Sequence, residues 1–174
     1  MAEFTVYAGA ASGWDSSSNA TGAPDDSYAY ASNSYYGPSG EFKYLTLSNF
    51  GITDELPANA VIDKVTVSAK VKANSGSSTD EIYMRVYARI NGVDQAKSDN
   101  SKIVGATVKS VVYTSGDALD PSNLTDALFT ARVSAEFVNM TTTKIKRAEC
   151  DYVSVTVEYH LRIPSVGIEM GCNF

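Results

Sequence analysis

The residues that could perform acid–base or nucleophilic chemistry are few and scattered along the chain. The sequence contains one histidine, His160, on the predicted outer row of a strand. A histidine that acts as a general base needs a nucleophile or a carboxylate within hydrogen-bond reach, and no such cluster is evident near His160 in the sequence. We therefore predict that His160 lies on the surface or at an interface and that the chain has no catalytic residues. A small hydrolase is retained as the least favoured of three hypotheses on function.

Adjacent carboxylates occur in predicted loops or at strand edges, at Asp25–Asp26, Asp54–Glu55 and Asp80–Glu81. Such pairs are usually solvated turn residues. As an alternative, Asp15, Asp25 and Asp26, together with Asn19 and loop carbonyls, could supply the several oxygen ligands that Ca²⁺ requires, although their spacing differs from that of an EF-hand. We expect no other metal and no cofactor.

The two cysteines, Cys150 and Cys172, do not have the spacing of a metal site, and a single histidine cannot complete a zinc site. We predict that Cys150 is a small buried side chain at the start of a strand. A bridge between the two cysteines, or from Cys172 to a neighbouring subunit, remains an alternative. In a reducing cytosol, free thiols are the expected state.

Tyrosine is over-represented, with eleven residues against six phenylalanines and one tryptophan. Several aromatic residues cluster in the first quarter of the chain. They are Trp14, Tyr28, Tyr30, Tyr35, Tyr36 and Tyr44. Tyrosine and tryptophan are favoured at protein interfaces, and their rings also stack on sugars. Three interpretations stay open for this group: core packing, a protein interface, or a sugar-binding platform.

The net charge of −6 and the pI near 4.7 argue against nucleic-acid partners and against anionic membranes. No stretch of about 18 apolar residues predicts a membrane span. The first residues, Met1 to Phe4, lack a basic segment followed by an apolar run. We therefore expect synthesis in the cytoplasm without a secretory signal peptide.

Apolar and polar residues alternate with a period of two in several segments, and this pattern predicts the β-strands that position the residues discussed above. The pattern is strongest in Val61–Val71, Ile82–Ile90 and Asp151–Ile163. In the second run, Tyr83, Arg85, Tyr87 and Arg89 form the polar row. The first two runs are separated by a Ser/Gly-rich loop, and we predict that they are neighbouring antiparallel strands. Weaker strands are predicted at Glu3–Tyr7, Tyr28–Ser32, Phe42–Leu47, Lys102–Tyr113 and Phe129–Val138.

This pattern predicts an all-β fold, an antiparallel jelly-roll-like β-sandwich of about eight strands. One short helical turn is expected at Asp120–Leu124, where an N-cap precedes Pro121. Ser12–Asn33 is predicted to be a long surface loop with little regular structure. We assign residues 1–163 to a single sandwich domain and 164–174 to a C-terminal arm.

Five segments carry a resemblance that extends over about residues 19–160. They are NATGAPDDSYA (19–29), YLTLSNFG (44–51), LPANAVIDKV (56–65), DPSNLTDALF (120–129) and CDYVSVTVEY (150–159). In this order they resemble β-sandwich structural proteins of tailed bacteriophages and prophages. That group has an A-x-G-A-P-D-x-x-Y-A loop and a closing V-D-Y-V-x-V-x-V-x-Y strand. The chain departs from the group at Lys64-Val65, where a Gly-Ile pair is common, and lacks the usual tryptophan before the short helix.

The resemblance implies a non-enzymatic virion component, such as a capsid decoration, head fibre or tail-associated part. It implies the major capsid or tail protein as partner and a location in the virion. A homo-oligomer is also expected, because such components usually assemble with closed symmetry. The alternative is a carbohydrate-binding module used in host attachment, which the aromatic cluster would serve.

Deletion of residues 165–174 tests the role of the predicted arm. Ile168, Met170 and Phe174 are apolar and have no evident position in the sandwich, so we expect the deletion to weaken assembly more than folding. Sedimentation would measure the first effect and thermal melting the second. Equal losses in both would contradict the prediction.

Overall fold

Two antiparallel β-sheets pack face to face in the computed structural model. It describes residues 1–33, 40–74, 81–114, 119–138 and 145–162. The first sheet has the order β1-β11-β5-β9, and β3 also pairs with β11. Its strands are β1 (Ala2–Tyr7), β3 (Ala29–Asn33), β5 (Ala60–Asn74), β9 (Gly105–Tyr113) and β11 (Lys146–Leu161). The all-β sandwich predicted from the alternation is thus confirmed.

The second sheet has the order β2-β4-β10-β6-β7, and β8 also pairs with β6. Its strands are β2 (Ala10–Ser12), β4 (Glu41–Ser48), β6 (Glu81–Ile90), β7 (Val93–Lys97), β8 (Ser101–Lys102) and β10 (Phe129–Val138). Every pairing in both sheets is antiparallel. Each predicted strand therefore has a counterpart in the structure.

The core lies between the sheets and consists of the inward rows of their strands. In β5 the inward row includes Val65, Val67 and Val71, and in β10 it includes Phe129 and Phe137, all essentially without exposed surface. Burying a side chain of this size stabilises the fold by about 1.5–3 kcal/mol. The alternation therefore determines which side of each strand faces water.

The prediction that the runs of β5 and β6 are neighbouring strands is wrong. β5 belongs to the first sheet and β6 to the second, and the inward rows of both strands belong to one core cluster. Alternation shows that a strand has one apolar side. It does not show whether two such strands pair by hydrogen bonds or meet across the core, because both arrangements bury the same residues.

Two short strands, β2 and β7, were not predicted. The single strand predicted at Lys102–Tyr113 is divided into β8 and β9 at residues 103–104, and β9 begins at Gly105 with a positive φ of 71°. A signal for β7 was present: Asn91-Gly92 is the dipeptide typical of a two-residue type I′ hairpin. Both residues have positive φ, and Ile90 and Val93 pair across the turn.

The prediction of a surface loop for Ser12–Asn33 is also wrong in part. Ala20, Ala29 and Ala31 are buried, a 3₁₀ helix forms at Ser17–Ala20, and β3 joins the first sheet. Alanine is small enough to lie against a sheet but weakly apolar, so its burial left little periodic signal.

The predicted helical turn at Asp120–Leu124 is confirmed as a 3₁₀ helix at Pro121–Asn123. Asp120 caps this helix, since its side chain accepts a hydrogen bond from the Ser122 amide. A further turn, α1 (Ile52–Glu55), follows β4. Within the described residues, no helix is both long and apolar enough to cross a membrane.

A buried carboxylate attaches the segment before β3 to the first sheet. Asp151 is 1% exposed and lies at a β-bulge in β11. The Lys70 ammonium lies 2.9 Å from Asp151 Oδ2 and 2.6 Å from Asp26 Oδ1. The Asp25 amide donates a hydrogen bond to Asp151 Oδ1 at 3.4 Å. One lysine thus links a β-bulge to a loop more than a hundred residues away in sequence.

Replacement of Asp151 by alanine is expected to lower the free energy of unfolding by about 1–3 kcal/mol, because it removes one of the two carboxylates that pair with Lys70 and leaves the Asp25 amide without its acceptor. Urea denaturation would measure the loss. Asp26→Asn is the matched control and should cost less, because Asp26 is solvated. Equal effects of the two variants would contradict the role assigned to Asp151.

The ion pair between Lys70 and Asp26 predicts that the stability of the fold depends on pH. The hydrogen bond from Lys70, together with its charge, holds the pKa of Asp26 below its ordinary value of 3.8. A lowered pKa in the folded state adds stability above the ordinary value that disappears as the pH falls through the folded value. We expect the difference in stability between Asp26→Asn and the parent chain to disappear at acidic pH, once the pH has fallen from 3.8 through the folded value of Asp26, as measured by urea denaturation. A difference that persists there would contradict this assignment.

Candidate functional site

The aromatic residues singled out in the sequence do not form one surface. Tyr28 and Tyr30 are half-buried beside the first sheet, where Lys72 lies 5.2 Å from the Tyr28 ring centroid and the Arg147 guanidinium lies 4.5 Å from that of Tyr30. Tyr44 lies on the second sheet. Tyr35, Tyr36, Ile168, Met170 and Phe174, like the whole of the 164–174 arm, lie outside the described residues.

Trp14 is a core residue, so its assignment as an interface candidate is wrong. Its side chain is 6% exposed and belongs to the core cluster. The chain turns inward there because Gly13 has a φ of 107°, and a Cβ at this position would lie 2.3 Å from the Tyr44 carbonyl oxygen. Only glycine permits both the backbone conformation and the close approach. Two backbone hydrogen bonds between Asp15 and Tyr30 then hold the segment in place.

Three of the side chains that suggested a calcium site, Asp25, Asp26 and Asn19, have protein partners in the structure. Asp26 pairs with Lys70, the Asp25 side chain accepts a hydrogen bond from the Ser27 amide, and the Asn19 side chain donates to the Tyr28 carbonyl. Among the described residues, which include Asp15, no group of three or more histidine, cysteine, aspartate or glutamate residues could hold a metal ion. The carboxylates serve the local fold.

His160 is exposed, as predicted, but it has a carboxylate partner that the sequence did not reveal. Its Nδ1 lies 2.8 Å from Asp63 Oδ1. These residues are 97 positions apart and meet because β11 pairs with β5. An exposed pair of this kind contributes about 0–1 kcal/mol.

Cys150 is fully buried and is a free thiol, as expected. Burial raises the pKa of the Cys150 thiol, with a smaller contribution from the neighbouring Asp151 carboxylate. The nucleophilic thiolate is therefore disfavoured. Cys172 lies outside the described residues, and the alternatives concerning it stay predictions.

The most distinctive surface is the outer side of the second sheet, which we call the tyrosine–arginine face. It is formed by alternate residues of β4, β6 and β10, together with Asp94 on β7. Its members are Phe42, Tyr44, Tyr83, Arg85, Tyr87, Arg89, Asp94, Arg132, Ser134 and Glu136. They share one side because the register pairs Ser134 with both Tyr44 and Arg85, and Arg132 with Tyr87.

Two aromatic rings form the exposed edge of this face. Phe42 and Tyr44 are 46% and 43% exposed. Their ring centroids are 6.3 Å apart and their planes differ by 10°. The pair arises because positions i and i+2 of a strand point to the same side. The result is a pair of parallel aromatic rings that is partly accessible to solvent.

Arg132 joins this edge to the centre of the face. Its guanidinium carbon lies 4.6 Å from the Tyr44 ring centroid and 4.4 Å from that of Tyr87. Asp94 orients the guanidinium through a contact of 2.9 Å and pairs also with Arg89 at 2.7 Å. The Asn-Gly hairpin places Asp94 opposite Arg89. A cation between two aromatic rings and a carboxylate has little freedom to move.

The far end of the face carries a second ionic network. Tyr83 donates a hydrogen bond to Glu81 at 3.2 Å, and Lys102 pairs with Glu81 at 3.1 Å. Glu136 accepts a hydrogen bond from Asn100 at 2.8 Å. The negative charge of Glu81 raises the pKa of the Tyr83 hydroxyl, so this group is a neutral donor at physiological pH.

Most of this face was not identified from the sequence, although its signal was visible. The alternating Tyr83, Arg85, Tyr87 and Arg89 marked one polar row. The contributions of Phe42 and of the β10 residues depend on the strand order, and no local pattern gives that order.

The chain matches no family model and no curated protein. Among solved structures, it is similar to one described as CBM4 structure and function, with 12% identity, a TM-score of 0.45, and coverage of 88% of this chain and 94% of that one. It is also similar to the CBM22-1 xylan-binding domain from Paenibacillus barcinonensis Xyn10C, with 13% identity, a TM-score of 0.39, and coverage of 88% and 92%. A third structure is the VP2 subviral particle of infectious bursal disease virus, with 8% identity and a TM-score of 0.46; the match covers 92% of this chain and 32% of that chain. At such identities these likenesses assign no ligand or partner to this chain.

Proposed function

We propose that this chain is a non-enzymatic structural protein of a tailed-phage virion that docks onto a major capsid or tail protein through the tyrosine–arginine face. The observation that carries the proposal is the composition and order of this face. Tyrosine and arginine are the residues most enriched at the energetic centres of protein interfaces. The sequence resemblance over about residues 19–160 supplies the virion context, and a symmetric homo-oligomer is part of the same proposal.

The geometry of Arg132 supports docking because this side chain is already ordered. Its contacts with Tyr44, Tyr87 and Asp94 restrict the guanidinium before any partner arrives. Binding then costs less conformational entropy, since about 0.5–1.5 kcal/mol is lost for each side chain that must be immobilised. The exposed Phe42 and Tyr44 rings add apolar area at the edge.

A binding role is also supported by the state of the groups that could react. The His160 imidazole is solvated and paired with Asp63, and the Cys150 thiol is buried. Neither arrangement places a general base beside an accessible nucleophile.

Tyr44→Ala is expected to weaken binding to purified virions at least tenfold, because it removes an exposed ring and one wall of the Arg132 site; losses of this size are typical of hot-spot residues. Co-sedimentation followed by mass spectrometry would measure bound protein. Tyr30→Ala on the first sheet is the matched control and should bind normally. If Tyr30→Ala alone reduced binding, the docking surface would lie on the first sheet. A parent chain that stays monomeric and is missing from particles would count against the whole proposal.

A carbohydrate-binding module used in host attachment is the second candidate, favoured by the Phe42–Tyr44 pair. Exposed aromatic rings can stack against sugars through their apolar faces. Binding to a glycan array that is lost in Phe42→Ala and Tyr44→Ala would support it. Trp14→Phe serves as the control, because Trp14 is buried and should not contact a ligand. A silent array with folded protein would remove this candidate.

A further inference from the structure

We infer that Arg85 is a carboxylate-binding residue that anchors an aspartate or glutamate side chain of the docking partner. The inference rests on the proposed function and names the chemistry of its contact. Arg85 lies in the middle of β6, between Tyr83 and Tyr87 on the outward row. Across the sheet it faces Ser134, a small uncharged residue that supplies no carboxylate.

The decisive observation is that Arg85 has no partner within the described part of the chain. It makes no hydrogen bond or ion pair there, and its Nε has no exposed surface. The other arginines of the face are paired, as is the neighbouring Lys102. Arg89 and Arg132 share Asp94, and Lys102 contacts Glu81.

An unpaired and partly buried guanidinium is unfavourable for folding. A buried donor without an acceptor costs about 1–3 kcal/mol, and more when the group is charged. The folded chain would be more stable with an apolar residue at position 85, or with an arginine that has a carboxylate partner within the chain. Groups that reduce stability in this way are typical of binding sites, where a ligand later satisfies them.

The charge around Arg85 favours an anionic ligand. The outward rows of β6, β7, β8 and β10 carry five basic residues against three acidic ones within the described ranges. The basic residues are Arg85, Arg89, Lys97, Lys102 and Arg132, and the acidic residues are Glu81, Asp94 and Glu136. The chain as a whole has a net charge of −6. A locally basic area on an acidic protein steers and orients an acidic partner.

A carboxylate fits this site better than other acceptors. The planar guanidinium presents its donors as a fork that matches the two carboxylate oxygens. The neighbouring tyrosine rings lower the access of water, which strengthens the contact. An aspartate or glutamate on a protein surface supplies such a group.

Two measurements test the inference on the intact chain. In the first, the Nε–H resonance of Arg85 is followed by NMR during titration with an acetylated hexaglutamate peptide. We expect this signal to shift with hexaglutamate and not with hexaglutamine, its uncharged control. A resonance that stays in place would overturn the assignment. This NMR measurement does not depend on virion binding, so it distinguishes failure of the inference from failure of the proposed function.

In the second, Arg85→Met, Arg85→Lys and Arg147→Met are compared in virion co-sedimentation and thermal melting. We expect Arg85→Met to bind at least tenfold more weakly without a lower melting temperature, Arg85→Lys to bind with intermediate strength, and Arg147→Met, on the other sheet, to bind normally. If virions that bind the parent chain also bind Arg85→Met normally, the inference about Arg85 is overturned while the proposed function stands.

A lower melting temperature for Arg85→Met would overturn the inference in favour of a structural role for Arg85. Competition by oligogalacturonate but not by hexaglutamate would assign the site to an acidic sugar and overturn the protein partner.

Discussion

The register that β10 keeps with both of its neighbours is the constraint on which the rest of the structure depends. It pairs Val133 with Leu45 on one side and with Val86 on the other, so that three inward rows meet the core together. A slip of one residue would turn every inward side chain toward water. The same register aligns Ser134 with Tyr44 and Arg85 on the outside. The core and the tyrosine–arginine face are therefore two consequences of one pairing.

Asp94 shows how a local turn completes a surface built from distant strands. The Asn91-Gly92 hairpin returns the chain beside β6 and sets Asp94 against Arg89. From there its second oxygen reaches Arg132 on β10. A single carboxylate thus neutralises two arginines, and one of them is then held between two rings. Asp94 pairs with Arg89 and Arg132 but not with Arg85, and it is this unpaired arginine from which we infer an external carboxylate.

The sequence was sufficient for the fold class and for most strand positions, since period-two alternation depends only on neighbouring residues. It was insufficient for the strand order, because β5 and β6 have the same alternating pattern whether they pair or meet across the core. It was misleading for Trp14, whose polar, alanine-rich surroundings resemble a surface loop. The candidate site was accessible only in part: Tyr83 and Arg85 share a visible row, whereas the pairing of Arg132 with Asp94 requires the tertiary structure.

The two outer surfaces of the sandwich differ in a way that bears on the direction of docking. On the first sheet, polar side chains satisfy one another across strands: Thr5 with Thr156 and Ser68 with Ser110, each at 2.8 Å. Groups paired in this way gain little from a partner, because binding would exchange one hydrogen bond for another. On the second sheet, Arg85 gains a full charge-assisted contact when a carboxylate arrives. On the proposed function, the difference in free energy between the free and bound states is therefore larger on the tyrosine–arginine face, which is why we assign docking to this side of the sandwich.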